Sequence, residues 1–226
     1  RDWSSDVCSS DLKENSNVAL RYSKTPTEIL AETGILDRHT IYGHGVHLTK
    51  SDISTLAKKK SAVAHCPGSN LKLASGIAPI SSYQNDGLTV ALGTDGCSSS
   101  NDLDMWLVMR IAALLVSQTQ GPEKLKTKDI FRMATIDGAK AVGMENSIGS
   151  IEIGKCADLI AIDLQSPHLI PIHDIFAQLI FAAGRSDVSD VWVDGKCVIS
   201  NKRSTMIHFE ELSHRVATRI SNLDTQ

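Results

Sequence analysis

Short apolar runs alternate with stretches of helical periodicity over the first two thirds of the chain. The runs at Thr40–Gly43, Ser61–Ala64 and Thr89–Thr94 are rich in β-branched and small apolar residues, which predicts buried strands. Helices are predicted at Pro26–Leu36, Asp52–Lys60, Pro79–Asn85, Leu103–Val116 and Lys128–Val142. A polar loop is predicted at 68–76. Alternation of strands and helices predicts parallel βαβ units and therefore an α/β fold.

The pattern changes after Gly149. A strand is predicted at Leu159–Asp163, and two further strands flank Asp194–Gly195, a dipeptide typical of tight hairpins. One helix, at Ile175–Ala183, lies between them. We therefore predict a small β-domain over residues 149–205, followed by a C-terminal helix within 206–226.

Residues 1–12, RDWSSDVCSSDL, show neither the periodicity of a helix nor that of a strand. This stretch resembles the translation of a sequencing-adapter oligonucleotide. We expect it to be an artefactual tail and leave it out of the fold prediction. The predicted first domain then covers residues 13–148, and we expect the natural coding sequence to continue upstream of Lys13.

Composition excludes several classes of function. The chain has 226 residues, 42% of them hydrophobic and 22% charged, with a net charge of -3. The chain has no excess of basic residues that would indicate a nucleic-acid or anionic-membrane partner. No apolar run reaches the roughly 20 residues of a membrane span. The five cysteines are scattered without a CxxC pair, which predicts a reducing, cytoplasmic location.

Three potentially reactive residues each follow a predicted strand. His44, His65 and Asp95 are separated by 21 and 30 residues. A (β/α)₈ barrel uses about 30 residues per unit and places its active site at the carboxyl ends of its strands. A doubly wound sheet also places polar groups there, so spacing alone leaves both topologies open.

The chemistry of these residues permits more than one role. Asp95 ends the apolar run Val90–Thr94, where a carboxylate serves as a helix N-cap, a metal ligand or a general base. We favour His44 as the functional histidine of His44-Gly45-Val46-His47 and expect His47 to be a hydrogen-bonded loop residue. His65 and Cys66 could be zinc ligands, and the Cys66 thiol could be a nucleophile. We favour a third interpretation, in which both residues line a polar pocket.

Several motifs together resemble one known family. They are GHGVHLT, AHCPGSNLKLASGIAPI, VALGTDGCSSSNDLDMW, MATIDGAKAVGM, GSIEIGKCADLIAID and DVSDVWVDGK. These motifs and their order along the chain resemble those of the amidohydrolase superfamily. Within it they are similar to the branch of 5-methylthioadenosine/S-adenosylhomocysteine deaminases and triazine hydrolases. The resemblance covers about residues 13–202.

The resemblance implies a fold and a site. The fold would be the C-terminal portion, strands six to eight, of a TIM-like (β/α)₈ barrel with part of a small β-sandwich. The cofactor would be one divalent metal ion, for which zinc is favoured and iron is the alternative. Asp95 would be its ligand and proton shuttle, and His44 would contact the substrate and stabilise charge. Ser69 and Asn70 would lie near the substrate.

The resemblance also implies what this sequence lacks. The family's other metal ligands are an HxH pair on the first strand and a histidine on the fifth, and neither is present. We therefore expect the parent protein to be a deaminase of adenine-type nucleosides, and this fragment to be inactive. Guanine deamination and triazine chloro- or aminohydrolysis are the alternatives on the same fold.

A non-catalytic α/β domain is the third hypothesis. It predicts that His44 and Asp95 point apart, whereas the enzyme hypotheses predict that they converge within about 6 Å, where charges shift each other's pKa. The expected partner is a small purine-type substrate. The sequence leaves a homo-oligomer open.

Overall fold

A computed structural model describes residues 7–8 and 12–223, with side chains from 15 to 221. The chain divides into two compact units. The first contains residues up to Lys155 together with Pro171–Arg185, and the second contains Cys156–Ile170 together with the chain from Ser186 onward. An α/β fold was predicted and is confirmed.

The first unit is built on a parallel sheet. Its strands are β1 (Val7–Cys8), β2 (Ile41–Gly43), β3 (Ala62–His65) and β4 (Thr89–Leu92). They lie in the order β1-β2-β3-β4, and every neighbouring pair is parallel. The carboxyl ends of the strands consequently meet at one edge of the sheet, which is the edge that carries the candidate residues.

The helices of the first unit follow the predicted pattern in most places. They are α1 (Leu12–Tyr22), α2 (Pro26–Glu32), α3 (Lys50–Lys59), α4 (Pro67–Lys72), α5 (Ile80–Asn85), α6 (Cys97–Ser100), α7 (Met105–Gln120), α8 (Thr127–Met133), α9 (Ile136–Ala141) and α10 (Ile175–Phe181). Thr25 caps α2, with Pro26 in the first turn, and Thr49 caps α3. Each cap forms a capping box, which satisfies otherwise unpaired backbone N–H groups.

The loop predicted at 68–76 is wrong in its first half, because α4 occupies Pro67–Lys72. Pro67 stands at the start of the helix, where its missing N–H costs no hydrogen bond. The backbone N–H of Asn70 closes the first turn by donating to the Cys66 carbonyl at 3.1 Å. The polar composition of the segment obscured this short helix.

The single helix predicted over Lys128–Val142 is also wrong. Two helices, α8 and α9, are separated at Thr135, whose φ and ψ of -128° and -100° are not helical. The Thr135 hydroxyl donates to the Phe131 carbonyl at 2.9 Å, the kind of local bond that competes with helix continuation. Lys126 occupies the N-cap position of α8 and makes no side-chain capping bond.

One hydrophobic core lies between the sheet and its helices. Strand residues Tyr42, Val63 and Val90 are at most 1% exposed. Helix residues buried against them include Leu56, Ile80, Ala112, Ile130, Met133 and Ile180. This packing holds the strand ends rigidly, which is what positions the candidate site.

The second unit contains an antiparallel sheet. Its strands are β5 (Leu159–Ile162), β6 (Val188–Val193), β7 (Lys196–Ser200) and β8 (Arg203–Ser204), in that order across the sheet. The predicted hairpin is confirmed, with Val193 opposite Lys196 and left-handed φ values at Asp194 and Gly195. A 3₁₀ turn at Pro167–Leu169 and helix α11 (Phe209–Leu223) complete the described part of this unit.

The division into units differs from the predicted boundaries at α10. We predicted this helix in the second domain, but Pro171–Arg185 belongs to the first unit. The Arg110 guanidinium donates to the carbonyls of Ile180 and Ala183, at 3.1 and 2.7 Å, and thereby ties the end of α10 to α7. The sequence pattern alone contains no sign of these long-range bonds.

The adapter-like segment is only partly described. Val7 and Cys8 form β1, which pairs with β2 in parallel, whereas residues 1–6 and 9–11 lie outside the described residues. The artefactual origin of this segment stays a prediction. Among the described residues, no helix combines the length and the apolar character that crossing a membrane requires.

Candidate active site

His44 directly follows β2 in a left-handed backbone conformation. Its φ is 66°, and Gly45 has a φ of 63°. The His44 N–H donates to the Ala64 carbonyl at 2.8 Å, and the Tyr83 hydroxyl donates to the Gly45 carbonyl at 2.6 Å. Burial raises the pKa of Tyr83 to about 12, so this hydroxyl remains a donor. The surrounding contacts therefore maintain an unfavourable conformation that turns the imidazole toward the sheet edge.

Asp95 lies at the same edge, beyond the end of β4. Its carboxylate accepts two hydrogen bonds, from the Gly96 N–H at 2.7 Å and from the Ser99 hydroxyl at 2.6 Å. The pKa of Asp95 is lowered from its usual value, first by the Ser69 hydroxyl and then by Ser99, while burial opposes the shift. The Ser69 hydroxyl forms no hydrogen bond of ordinary geometry, so it acts on the carboxylate as a nearby dipole. Asp95 is therefore ionised at neutral pH.

The structure brings His44 and Asp95 together. His44 Nε2 lies 4.0 Å from Asp95 Oδ2, and the two side chains are 13% and 29% exposed. This distance is inside the limit of about 6 Å that separates the enzyme hypotheses from the non-catalytic one. A partly exposed imidazole beside an ionised carboxylate can move protons to and from a small molecule bound at this edge.

Ser69 and Asn70 lie beneath this pair, on α4. They are 1% and 2% exposed, which leaves almost no surface for contact with a substrate. Asn70 Oδ1 is 2.8 Å from His44 Nδ1. Their assignment as substrate-binding residues stays a prediction, and their described contacts are with His44 and Asp95.

His65 and Cys66 are not exposed at the edge. His65 is 1% exposed, and burial lowers its pKa to about 4, so it is neutral at neutral pH. The expectation that His47 is hydrogen-bonded is not met at Nε2, which is buried without a partner. Cys66 is buried as well. In the described structure, His65 and Cys66 contribute to the core and not to an open pocket.

The acidic residues before α7 have structural partners. The Asp104 carboxylate accepts from the Trp106 N–H at 2.9 Å, which makes Asp104 the N-cap of α7. Asp102 instead pairs with Arg185 at 2.7 Å. Ser99 is the site residue that the sequence analysis missed. Its position four residues after Asp95, in a run of small residues, was the only signal.

One cavity of the first unit does not coincide with this site. It has a volume of about 260 Å³ and includes Gly87–Val90, at the amino end of β4. Arg132 and Lys140 line it, and both pair with Asp137 at 3.1 Å. These cations are paired with a carboxylate, and the cavity lies at the opposite end of the strand from Asp95, so the strand-end pair remains the candidate site.

A metal was expected at Asp95. Within residues 7–8 and 12–223, no three His, Cys, Asp or Glu side chains are grouped so that they could hold a metal ion. Catalytic zinc sites generally use three protein ligands, and Asp95 supplies a single carboxylate. The described residues alone therefore do not form a metal site, although the Asp95 carboxylate is free of any lysine or arginine and faces the edge.

Comparison with known proteins gives independent information on the family. The family model of the amidohydrolase family matches residues 8–198. A 5-methylthioadenosine/S-adenosylhomocysteine deaminase from Moorella thermoacetica is 44% identical over 208 residues, which cover 92% of this chain and 49% of the relative. The chain thus spans about half the length of the curated relatives that it matches.

Solved structures agree with this result. An adenosine deaminase from Xanthomonas campestris with bound zinc has a TM-score of 0.93 and 35% identity, over 97% of this chain and 50% of that one. Atrazine chlorohydrolase from Arthrobacter aurescens with zinc and atraton, a mutant, has a TM-score of 0.87 and 26% identity, over 94% and 48%. Because the family model matches most of the length of this chain, the chain belongs to the amidohydrolase family.

Proposed function

We propose that this chain is the C-terminal part of a hydrolytic deaminase of adenine-type nucleosides, in the 5-methylthioadenosine/S-adenosylhomocysteine class. The observation that carries the proposal is the 4.0 Å approach of His44 to Asp95 at the carboxyl edge of a parallel sheet. The deaminase names of the Moorella and Xanthomonas proteins support the choice of reaction. The substrate is then a small purine-type molecule.

The proposal assigns a place to each sheet. Strands β2, β3 and β4 correspond to the sixth, seventh and eighth strands of a (β/α)₈ barrel, and the antiparallel sheet corresponds to part of a small β-sandwich. The parallel order of the strands and the position of polar residues at their carboxyl ends support this assignment. β1 lies beside β2, where the fifth strand would be expected.

Asp95 and His44 receive distinct roles. Water attacks the ring carbon that bears the amino group, and the ionised Asp95 carboxylate accepts the proton that the water loses. Asp95 then delivers this proton to the amino nitrogen, the C–N bond breaks, and ammonia leaves. The hydroxyl that remains on the ring carbon becomes a carbonyl when its proton moves to the adjacent ring nitrogen. His44 stabilises the charge that develops at the reacting centre. The lowered pKa of Asp95 is consistent with a carboxylate that begins the cycle ionised.

A divalent metal belongs to the proposed complete protein. Zinc is favoured because the Xanthomonas and Arthrobacter structures contain it, and iron stays open. Asp95 is the one ligand that we assign to it from this chain. Because the described residues do not form a metal site by themselves, we expect the 226-residue chain alone to be inactive.

A second candidate function is triazine hydrolysis. The Arthrobacter enzyme, named atrazine chlorohydrolase, shares the fold closely and is 26% identical to this chain over 48% of its own length. Guanine deamination, the other alternative, would use the same strand-end pair. The reaction class of all three is hydrolysis at an electron-poor ring carbon, and they differ in the leaving group and the ring.

The test is an assay of the complete polypeptide that contains this chain, loaded with zinc, against a panel of substrates. We expect release of ammonia from 5-methylthioadenosine, S-adenosylhomocysteine and adenosine. Release of chloride from atrazine or ammonia from guanine, without turnover of adenosines, would replace the proposal by one of the alternatives. No turnover of any compound would favour the non-catalytic hypothesis.

A further inference from the structure

Helix α4 lies between the two strand ends of the candidate site and contacts both. Asn70 Oδ1 is 2.8 Å from His44 Nδ1, and the Ser69 hydroxyl acts on the Asp95 carboxylate. The Lys72 ammonium donates to the Ser98 carbonyl at 3.3 Å and therefore ties α4 to the segment after Asp95. These contacts identify α4 as a support for the site and not as part of its exposed surface.

The contact between Asn70 and His44 has a defined polarity. In the described orientation of the Asn70 amide, Oδ1 faces the ring. An amide oxygen can only accept a hydrogen bond, so this orientation places the proton of the bond on His44 Nδ1. A neutral imidazole carries one N–H, which leaves Nε2 as the acceptor nitrogen. Nε2 is the nitrogen that lies 4.0 Å from Asp95 Oδ2.

We propose that Asn70 is a positioning residue that holds His44 as its Nδ1–H tautomer, with Nε2 directed at the space beside Asp95. The inference rests on the proposed function only in giving His44 a part in the reaction. Asn70 itself is 2% exposed, so in this proposal it acts through His44. A neutral Nε2 can accept a proton from a bound molecule and return it, whereas an Nε2–H tautomer could only donate.

The position of Asn70 is itself well determined. Its backbone N–H donates to the Cys66 carbonyl at 3.1 Å, and its carbonyl accepts from the Ser75 N–H at 2.9 Å. His44 has a left-handed backbone at the end of a strand. The hydrogen bond described for its ring is the one between Nδ1 and Asn70 Oδ1. The orientation of the ring therefore depends on a side chain from the next βα unit.

The test uses ¹⁵N NMR of the histidine rings in the 226-residue chain, at a pH where His44 is neutral. The His44 resonances, assigned with the His44→Gln variant, should show a protonated Nδ1 and an acceptor Nε2. Asn70→Leu removes the acceptor, and we expect it to abolish the preference for Nδ1–H. Asn70→Asp retains an oxygen acceptor at the same place and should restore the preference.

Ser69→Ala is the matched control. Ser69 is on the same helix and equally buried, but it has no hydrogen bond to His44, so the tautomer should not change. Should Asn70→Leu fail to fold, the wild-type resonances and the Asn70→Asp variant decide. A His44 ring with its proton on Nε2 in the wild type, or a preference unaffected by Asn70→Leu, would overturn the inference.

A wild-type chain without dispersed backbone resonances would overturn it too, because the bond requires the fold. None of these measurements involves turnover. A complete enzyme that lacks deaminase activity would therefore refute the proposed function and leave the tautomer result standing.

Discussion

His44 Nε2 and Asp95 Oδ2 lie 4.0 Å apart, and both residues have a left-handed backbone, with φ values of 66° and 59°. This conformation is uncommon for residues other than glycine and is concentrated at functional sites. A glycine follows each of them, which gives the chain room to leave the strand end sharply. The shared conformation turns both side chains to one point at the sheet edge.

Asp95→Asn in the complete, zinc-loaded polypeptide should abolish most of the deaminase turnover. An amide cannot accept the proton of the attacking water, and loss of a general base typically costs about 10²- to 10⁴-fold in rate. Ammonia release is the measurement, and Asp86→Asn, at an exposed position after α5, is the control. Near-normal turnover with the metal retained would exclude the role of Asp95.

Ser99→Ala should raise the pKa of Asp95. The Ser99 hydroxyl donates to the carboxylate at 2.6 Å and stabilises its ionised form, so the carboxyl should titrate at a higher pH without it. The carboxyl ¹³C resonance of Asp95 reports this titration. Ser100→Ala is the matched control, since Ser100 donates to backbone carbonyls of Gly96 and Asp102. Equal shifts in the two variants would contradict the assignment.

His65 should make the folded chain less stable as the pH falls from about 6.5 to about 4. The ordinary pKa of histidine is 6.5, and burial lowers that of His65 to about 4. In this window the unfolded state binds a proton that the folded state does not. The free energy of unfolding therefore decreases as the pH decreases, by about 3 kcal/mol in total. Above pH 6.5 the contribution disappears.

Denaturant unfolding across this pH range measures the effect, with His65→Gln as the comparison. The variant should lose the part of the pH slope that comes from His65, whatever its absolute stability. Identical slopes in the two proteins would show that His65 takes up its proton in the folded state.

Gly45→Ala should destabilise the chain and Gly68→Ala should not. At Gly45, a Cβ would lie 2.7 Å from Val63 Cγ1, and its φ is left-handed. The conformation alone costs about 1–2 kcal/mol, before the overlap with Val63 is counted. At Gly68, in α4, a Cβ meets nothing within 4 Å, and alanine should add up to about 1 kcal/mol of helix propensity. Urea unfolding midpoints compare the two, and equal losses would contradict the assignment of strain to Gly45.

The 226-residue chain should not retain zinc through dialysis, because Asp95 is the one ligand assigned to it. The complete polypeptide should retain it and lose activity when a strong chelator removes it. Metal analysis by mass spectrometry gives the stoichiometry. One zinc bound per isolated chain would show that residues outside the described ones complete a site.

The sequence predicted the local elements well wherever the signal was local. The Asp194–Gly195 hairpin and the three strand-end residues all depend on neighbouring residues. The break at Thr135 and the short helix α4 were missed. At Thr135 a side-chain bond to the backbone outweighed the hydrophobic pattern, and in α4 a backbone bond did so, because such a pattern does not detect a single turn.

The sequence by itself determined that His44 and Asp95 follow buried parallel strands, because apolar runs and the polar residues that end them are encoded position by position. Only the tertiary structure decided that their side chains meet at 4.0 Å, that Asn70 bonds to His44, and that α10 joins the first unit. These relationships depend on how distant segments pack and on backbone conformations that packing maintains. Hydrophobic periodicity records which face of an element is buried, but not which residue lies opposite it.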